Sequence, residues 1–240
     1  IFHKISRRKF MTTIGWTPYK YTPVEKEHEL EFTHNAYFQP EKISEIYKDT
    51  KSRFKLCPAN TQFLKNFWMI KSPFDVELNV NRKKGTSTIN QSQRFYNTFI
   101  NMRWNECTET DLMLASFNFQ YMFVADEPVW IEVYPAFLHG EPENTRFING
   151  TFDIYNWQRP VDFSFEILDD SKPVIVKRGQ PLYYVRFISK KLNDDFKLQE
   201  IEWTDELLKL NKRCQPQTWV EGLSWKLMKA GNRHRPKKLI

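Results

Sequence analysis

Hydrophobic positions in the middle of this chain recur at every second residue. In "LMLASFNFQYMFVA", Phe117, Phe119, Tyr121 and Phe123 fall on one side, opposite Ser116, Asn118 and Gln120. Val161, Phe163, Phe165 and Ile167 alternate in the same way with Asp162, Ser164 and Glu166, and Val76, Leu78 and Val80 form a third such run. A period of two gives a strand one apolar face, and repeated short strands of this kind predict antiparallel sheets covering a core. From about residue 94 to 189 the pattern predicts mostly strands, including "FYNTFINMRW", "VWIEVYPAFL" and "TRFINGTFDIYNW". Phe67–Ile70 is read as a buried strand, "SPFD" as a turn, and the polar stretch 82–92 as a loop.

The segment "PVIVKRGQPLYYVRFIS" (173–189) reads as a strand, a tight Gly-Gln-Pro corner and a second strand. In the second strand Leu182, Tyr184, Arg186 and Ile188 share one face, and Tyr183, Val185 and Phe187 the other. Both faces are largely apolar, which predicts a strand covered on both sides. An arginine in that position requires a carboxylate partner or a polar cavity.

Helical signals are few and short. Residues 40–50 predict a short helix with Pro40 at its start, and Pro58 opens a second that reaches Lys65. In "TDELLKLNKR", Thr204 is a fitting N-cap, with acids in the first turn and bases in the last. Residues 1–39 contain Thr17-Pro18 and Tyr21-Thr22-Pro23, contexts that favour extended chain, with a strand-like alternation from His28 to His34. The predicted organisation is an irregular basic N-terminal arm (1–39), a β-sandwich domain (40–203), and a C-terminal helix with a basic tail (204–240). The expected fold class is mainly β: an antiparallel double-sheet sandwich, jelly-roll or cupin-like, with a few short peripheral helices. A length of 240 residues suits one such domain.

Charge changes this picture only at the ends. The formal net charge is +7. Residues 1–9 carry +4 and residues 222–240 carry +6, which leaves −3 for residues 10–221. A sheet that binds nucleic acid carries its own cationic face, and a near-neutral body argues against one here. Lys226, Lys229, Arg233, Arg235, Lys237 and Lys238 are instead expected to act as an electrostatic anchor for an acidic partner, with single-stranded nucleic acid as a further reading. Three cysteines, Cys57, Cys107 and Cys214, form no C-x-x-C pair and read as free thiols in a reducing compartment. No apolar run approaches the ~20 residues that span a membrane, and no signal-peptide pattern opens the sequence.

Candidate chemistry is sparse. His28 and His34 would lie roughly 20 Å apart on one strand, too far to share a metal. His3, His139 and His234 fall in expected loops or tails, so neither metal nor cofactor is predicted. There is no G-x-S-x-G elbow and no glycine-rich phosphate cradle. Cys57 precedes the Pro58 helix, where a thiolate can be favoured, although core filling is the commoner role of a cysteine. Asp153, Asp162 and Glu166 are read as solvated carboxylates on strand faces. The sharper ligand hypothesis places Arg186, Tyr184 and Trp157 around a small molecule in the barrel interior.

Two segments, "CPANTQFLKNFWMIKSPFDVELNV" and "FDIYNWQRPVDFSFEI…VIVKRGQPLYYVRF", resemble uncharacterised proteins of large tailed, T4-like phages, especially marine ones. The strand–Gly-x-Pro–strand shape is also similar to cupin-like double-stranded β-helices, although the metal-binding histidine motifs of that group are missing. The resemblance implies a viral origin and a place in the virion or the host cytoplasm. With the missing site chemistry, the leading expectation is a non-enzymatic protein that is virion-associated or binds a host factor. A small-molecule-binding or cupin-like enzyme is the alternative.

Overall fold

A computed structural model describes residues 11–18, 36–46, 57–104, 112–190, 194–214 and 235–240. In chain order the first strands are β1 (Met11–Pro18), β2 (Glu41–Lys42), β3 (Phe67–Lys71), β4 (Val76–Asn81), β5 (Thr86–Ile89) and β6 (Ile100–Met102). Then come β7 (Leu114–Ala125), β8 (Trp130–Pro135), β9 (Thr145–Phe147) and β10 (Gly150–Asp153). The last are β11 (Pro160–Ile167), β12 (Val174–Val176), β13 (Pro181–Ile188) and β14 (Asp195–Glu200). Four short helices accompany them among the described residues: α1 (Ile43–Ile46), α2 (Pro58–Leu64), α3 (Gln93–Phe99) and α4 (Asp205–Cys214).

The protein is mainly β, and the strands form two large sheets and one small one. The first sheet has the order β14-β1-β7-β11-β9, with β6 added on β7; the second has the order β10-β8-β13-β3-β2; the third is β12-β4-β5. From β7 to β11 successive strands alternate between the first and second sheets, so neighbours in sequence are not neighbours in a sheet. All pairings are antiparallel except β1 with β14, which is parallel.

The two large sheets pack face to face through aromatic rings. Phe123 of β7 meets Phe187 of β13 with centroids 5.4 Å apart, and Phe163 of β11 stacks on Tyr183 of β13 at 6.3 Å. Alternation explains which residues arrive there: the burial of β11 switches strictly, with Val161, Phe163, Phe165 and Ile167 buried. Offset and edge-on ring pairs of this kind add to the transfer free energy of burial by about 0.5–1.5 kcal/mol each.

The 173–189 segment does not fold back on itself. β12 joins the third sheet through β4, whereas β13 joins the second between β8 and β3. β3–β4 and β12–β13 run side by side as one antiparallel ribbon bent at a shared corner, with Lys71 facing Pro181 before the bend and Val76 facing Val176 after it. Ser72 N–H donates to Gln180 O at 2.9 Å and Gly179 N–H to Ser72 O at 2.8 Å, which ties the two bends together. Gln180 N–H closes the turn on Lys177 O at 3.0 Å, with Gly179 at φ 81°. A side chain at Gly179 would be strained there, since left-handed φ disfavours L-residues.

Several expectations from the sequence need correction. The N-terminal arm is not irregular throughout, because Met11–Pro18 forms β1 inside the first sheet, flanked by β14 and β7. Its apolar face carries only Ile14 and Trp16, opposite Thr13, Gly15 and Thr17, so the period of two is too short to stand out. The 82–92 stretch contains β5, turned back onto β4 by Arg82–Gly85 with Gly85 at φ 60°. "FYNTFINMRW" begins as helix α3 rather than strand: the Ser92 side chain accepts Phe95 N–H at 3.1 Å, and Phe95 and Phe99 bury the same helical face. The helix expected from Pro40 begins only at Ile43, because Glu41 and Lys42 pair with β3, whereas α2 does start at Pro58 and Thr204 does cap α4, its Oγ1 accepting Leu207 N–H at 3.2 Å.

Candidate functional site

Strand β13 separates two environments. Tyr183, Val185 and Phe187 point into the core between the large sheets, while Tyr184 belongs to a separate cluster with Ile43 of α1, Leu64 of α2, Phe67 and Met69 of β3, and Ala136. Tyr184 and Arg186 therefore lie on the outer side of the second sheet, not in the space between sheets where the ligand hypothesis put them. Helices α1 and α2 cover part of this outer side, which is why β13 is apolar on both faces.

The outer cluster is an aromatic surface of graded depth. Phe67 and Tyr184 are fully buried at its floor. Phe63 of α2 sits 4.9 Å from Phe67, and Phe137, just after β8, sits 4.9 Å from Tyr184 and 6.1 Å from Phe63. Phe63, Phe137 and the adjacent Leu138 keep 40%, 43% and 41% of their surface exposed. Two large aromatic side chains left open over an aromatic floor, with Leu138 exposed next in the chain, differ from the scattered single residues common on protein surfaces.

Polar groups border this surface. Arg186 lies opposite Glu132 in the β13–β8 register, and its Nη1 is 3.3 Å from Glu132 Oε2. The guanidinium also stands 5.5 Å from the Phe63 ring centroid and 5.6 Å from that of Phe67, within cation–π range. Tyr134 Oη donates to Glu132 Oε2 at 3.0 Å; burial, with the Glu132 carboxylate second, raises its pKa above the ordinary tyrosine value. Lys71 and Glu41 form a further ion pair. Nδ1 of His139 is hydrogen-bonded to the Tyr184 hydroxyl; partial burial, then the Lys71 ammonium, lowers the imidazole pKa against a smaller opposing pull from Glu41. The arginine thus has its carboxylate partner.

Trp157 is placed elsewhere. It lies in the turn after β10, with its ring against Phe152 at 5.4 Å and the Arg159 guanidinium 4.7 Å from its centroid. The structure brings Tyr184 and Arg186 together and gives Trp157 a different neighbourhood. Phe63, Phe137 and Leu138 were not singled out from the sequence, because an apolar residue in a helix or loop does not declare there whether it is covered.

The remaining candidates have structural partners or fall outside the described residues. Asp153 caps its own turn, its Oδ1 accepting Tyr155 N–H at 2.9 Å and Asn156 N–H at 3.1 Å, and Glu166 pairs with Arg146 at 3.0 Å. Asp162 pairs with Arg159 at 2.8 Å; burial raises its pKa, opposed by the nearby arginines. Cys57 is exposed at the start of α2, whereas burial pushes the Cys214 thiol up. Among the described residues no group of three or more His, Cys, Asp or Glu side chains could hold a metal. His3, His28, His34, His234 and Cys107 lie outside the described residues, as do Lys226, Lys229 and Arg233 of the expected anchor. Lys237 and Lys238 are exposed, but Arg235 is no free cation: its side chain is only 3% exposed.

No helix among the described residues is long and apolar enough to cross a membrane. Comparison with models of known protein families, with curated proteins and with solved structures returns no match.

Proposed function

We propose that this protein acts by binding another protein, and that the aromatic surface outside the second sheet is the contact. The observation that carries this reading is the exposure of Phe63 and Phe137 together over the buried Phe67 and Tyr184. Interfaces draw most of their affinity from a few aromatic and arginine side chains near a desolvated centre. Here the aromatic centre is flanked by an arginine already oriented by Glu132, so docking a partner orders little that is not ordered beforehand. In this reading the partner is a virion component or a host factor, in line with the resemblance to phage proteins, and the protein is non-enzymatic, in line with its sparse site chemistry.

The test compares the native chain with a Phe63→Ser/Phe137→Ser chain whose fold is checked by circular dichroism. Purified virions are analysed by mass spectrometry and infected cells by pull-down. A protein retained by the native chain and lost by the variant supports the reading. A partner held equally by both chains moves the contact elsewhere, and neither incorporation nor a partner rejects binding as the function.

A further inference from the structure

Residues 235–240, Arg-Pro-Lys-Lys-Leu-Ile, are held at the end of β7 by three different kinds of contact. The Arg235 guanidinium donates from Nη2 to the Ala125 carbonyl, lies 4.1 Å from the Tyr155 ring centroid, and comes within 4.0 Å of Asp126 Oδ1. Asp126 in turn receives two consecutive backbone groups: Leu239 N–H reaches Oδ1 at 2.7 Å and Ile240 N–H reaches Oδ2 at 3.3 Å. Leu239 and Ile240 pack on an apolar cluster of Met122, Val124 and Leu207, the last from α4. Cation, paired amides and apolar ends are each met by a complementary group.

The fit is incomplete. Among the described residues, Arg235 Nε and Nη1 are buried without a well-formed hydrogen bond, and a buried donor so placed offsets part of what the other contacts contribute. Solvent also reaches the segment from one side. An open cleft of about 420 Å³ runs past Thr12 and Thr13 of β1, Gln199 of β14, Asp126 and Glu127, with Lys238 and Ile240 on its wall.

We infer that residues 235–240 are a reversible latch, and that the end of β7 is a receiving site for a peptide segment with an arginine followed, four residues on, by two apolar residues. The chain occupies this site with its own segment. The site is separate from the aromatic surface on the second sheet and does not depend on it. When the latch opens, Met122, Val124 and Leu207 lose part of their cover, and Arg235 enters solvent beside Lys237 and Lys238.

The experiment uses the full chain and a fluorescent peptide of sequence Arg-Pro-Lys-Lys-Leu-Ile, followed by anisotropy. The Arg235→Ala chain, whose own latch is weakened, is expected to bind the peptide about tenfold more tightly than the native chain, where the site is filled. Adding Asp126→Ala, or replacing the peptide's arginine by alanine, is expected to remove that binding. Equal binding to the Arg235→Ala and Arg235→Ala/Asp126→Ala chains, or no binding to either, overturns the inference. So does an Arg235→Ala chain that cannot fold, since a latch is dispensable to the core. Hydrogen exchange on the native chain is the second measurement: the Leu239 and Ile240 amides should exchange about tenfold or more faster than those of Met122 and Val124. Exchange at the core rate would make the segment part of the core and overturn the latch.

Discussion

The two sides of the second sheet use the same residue types for different ends. On the inner side, Tyr183 and Phe187 interlock with Phe163 and Phe123 of the first sheet, and all four are at most 1% exposed. On the outer side, the rings of Phe67 and Tyr184 are as deeply buried, but the layer above them is a short helix and a loop that leave Phe63 and Phe137 half open. An opposing sheet offers a continuous apolar layer, whereas α2 offers only seven residues. Burial of aromatic area therefore stabilises the fold on one side and leaves area available to a partner on the other.

The largest expected effect comes from breaking the inner side. Phe163→Ala removes a ring that touches Phe117, Phe147, Phe165 and Tyr183, and should cost about 3–5 kcal/mol in urea unfolding. A loss below about 1 kcal/mol would mean that the two sheets are not packed as described. At the corner that feeds β13, Gly179→Ala should cost roughly 1–2 kcal/mol through left-handed strain, as its added Cβ meets nothing closer than the Phe38 ring at 3.6 Å. A neutral result in the same assay would show that the corner adopts another turn.

Outer-side changes should separate stability from binding. Phe137→Ala is expected to lower stability by no more than about 1 kcal/mol, yet weaken a partner identified by pull-down at least about tenfold. Titration calorimetry on the two chains checks both halves. Arg186 and Glu132 remain partly exposed, so a double-mutant cycle with Arg186→Met and Glu132→Gln should give a coupling under about 1 kcal/mol that shrinks in high salt. A large, salt-insensitive coupling would place the pair in a dry interior instead.

The smallest effect is a pH dependence at the rim. The folded state binds the His139 proton more weakly than the unfolded chain does, because partial burial and Lys71 disfavour the imidazolium. The unfolded state then holds more protons as pH falls below the ordinary value of 6.5, so stability is full above that value and declines below it. Urea midpoints measured from about pH 7.5 to pH 5 should show this decline in the native chain and a flatter profile in His139→Gln. Identical profiles would mean that His139 titrates as it does in the unfolded chain.

Alternation alone placed Phe163, Phe165, Phe117 and Phe123 on buried faces, since a two-residue period leaves only one side for apolar groups. Turn and cap chemistry likewise located the corner at Gly179, the helix at Pro58 and the cap at Thr204. The class of fold was legible for those reasons. Strand partners were not: the pattern of β11 or β13 is the same whichever neighbour it pairs with, and the chain switches sheets between successive strands. Strand β1 escaped notice because its apolar face is only two residues long, Ile14 and Trp16, and α3 because Phe95 and Phe99 fit a helical spacing that the surrounding strand pattern obscured.

Site residues divide in the same way. The need of Arg186 for a carboxylate could be read from its apolar strand, but Glu132 became its partner only through the register of β13 with β8. The exposure of Phe63 and Phe137, and the burial of Arg235 beneath an otherwise basic segment, depend on contacts between residues far apart in the chain. Local sequence sets which way a side chain points relative to its own backbone. What stands opposite that side chain is decided by long-range packing, and only the tertiary structure supplies it.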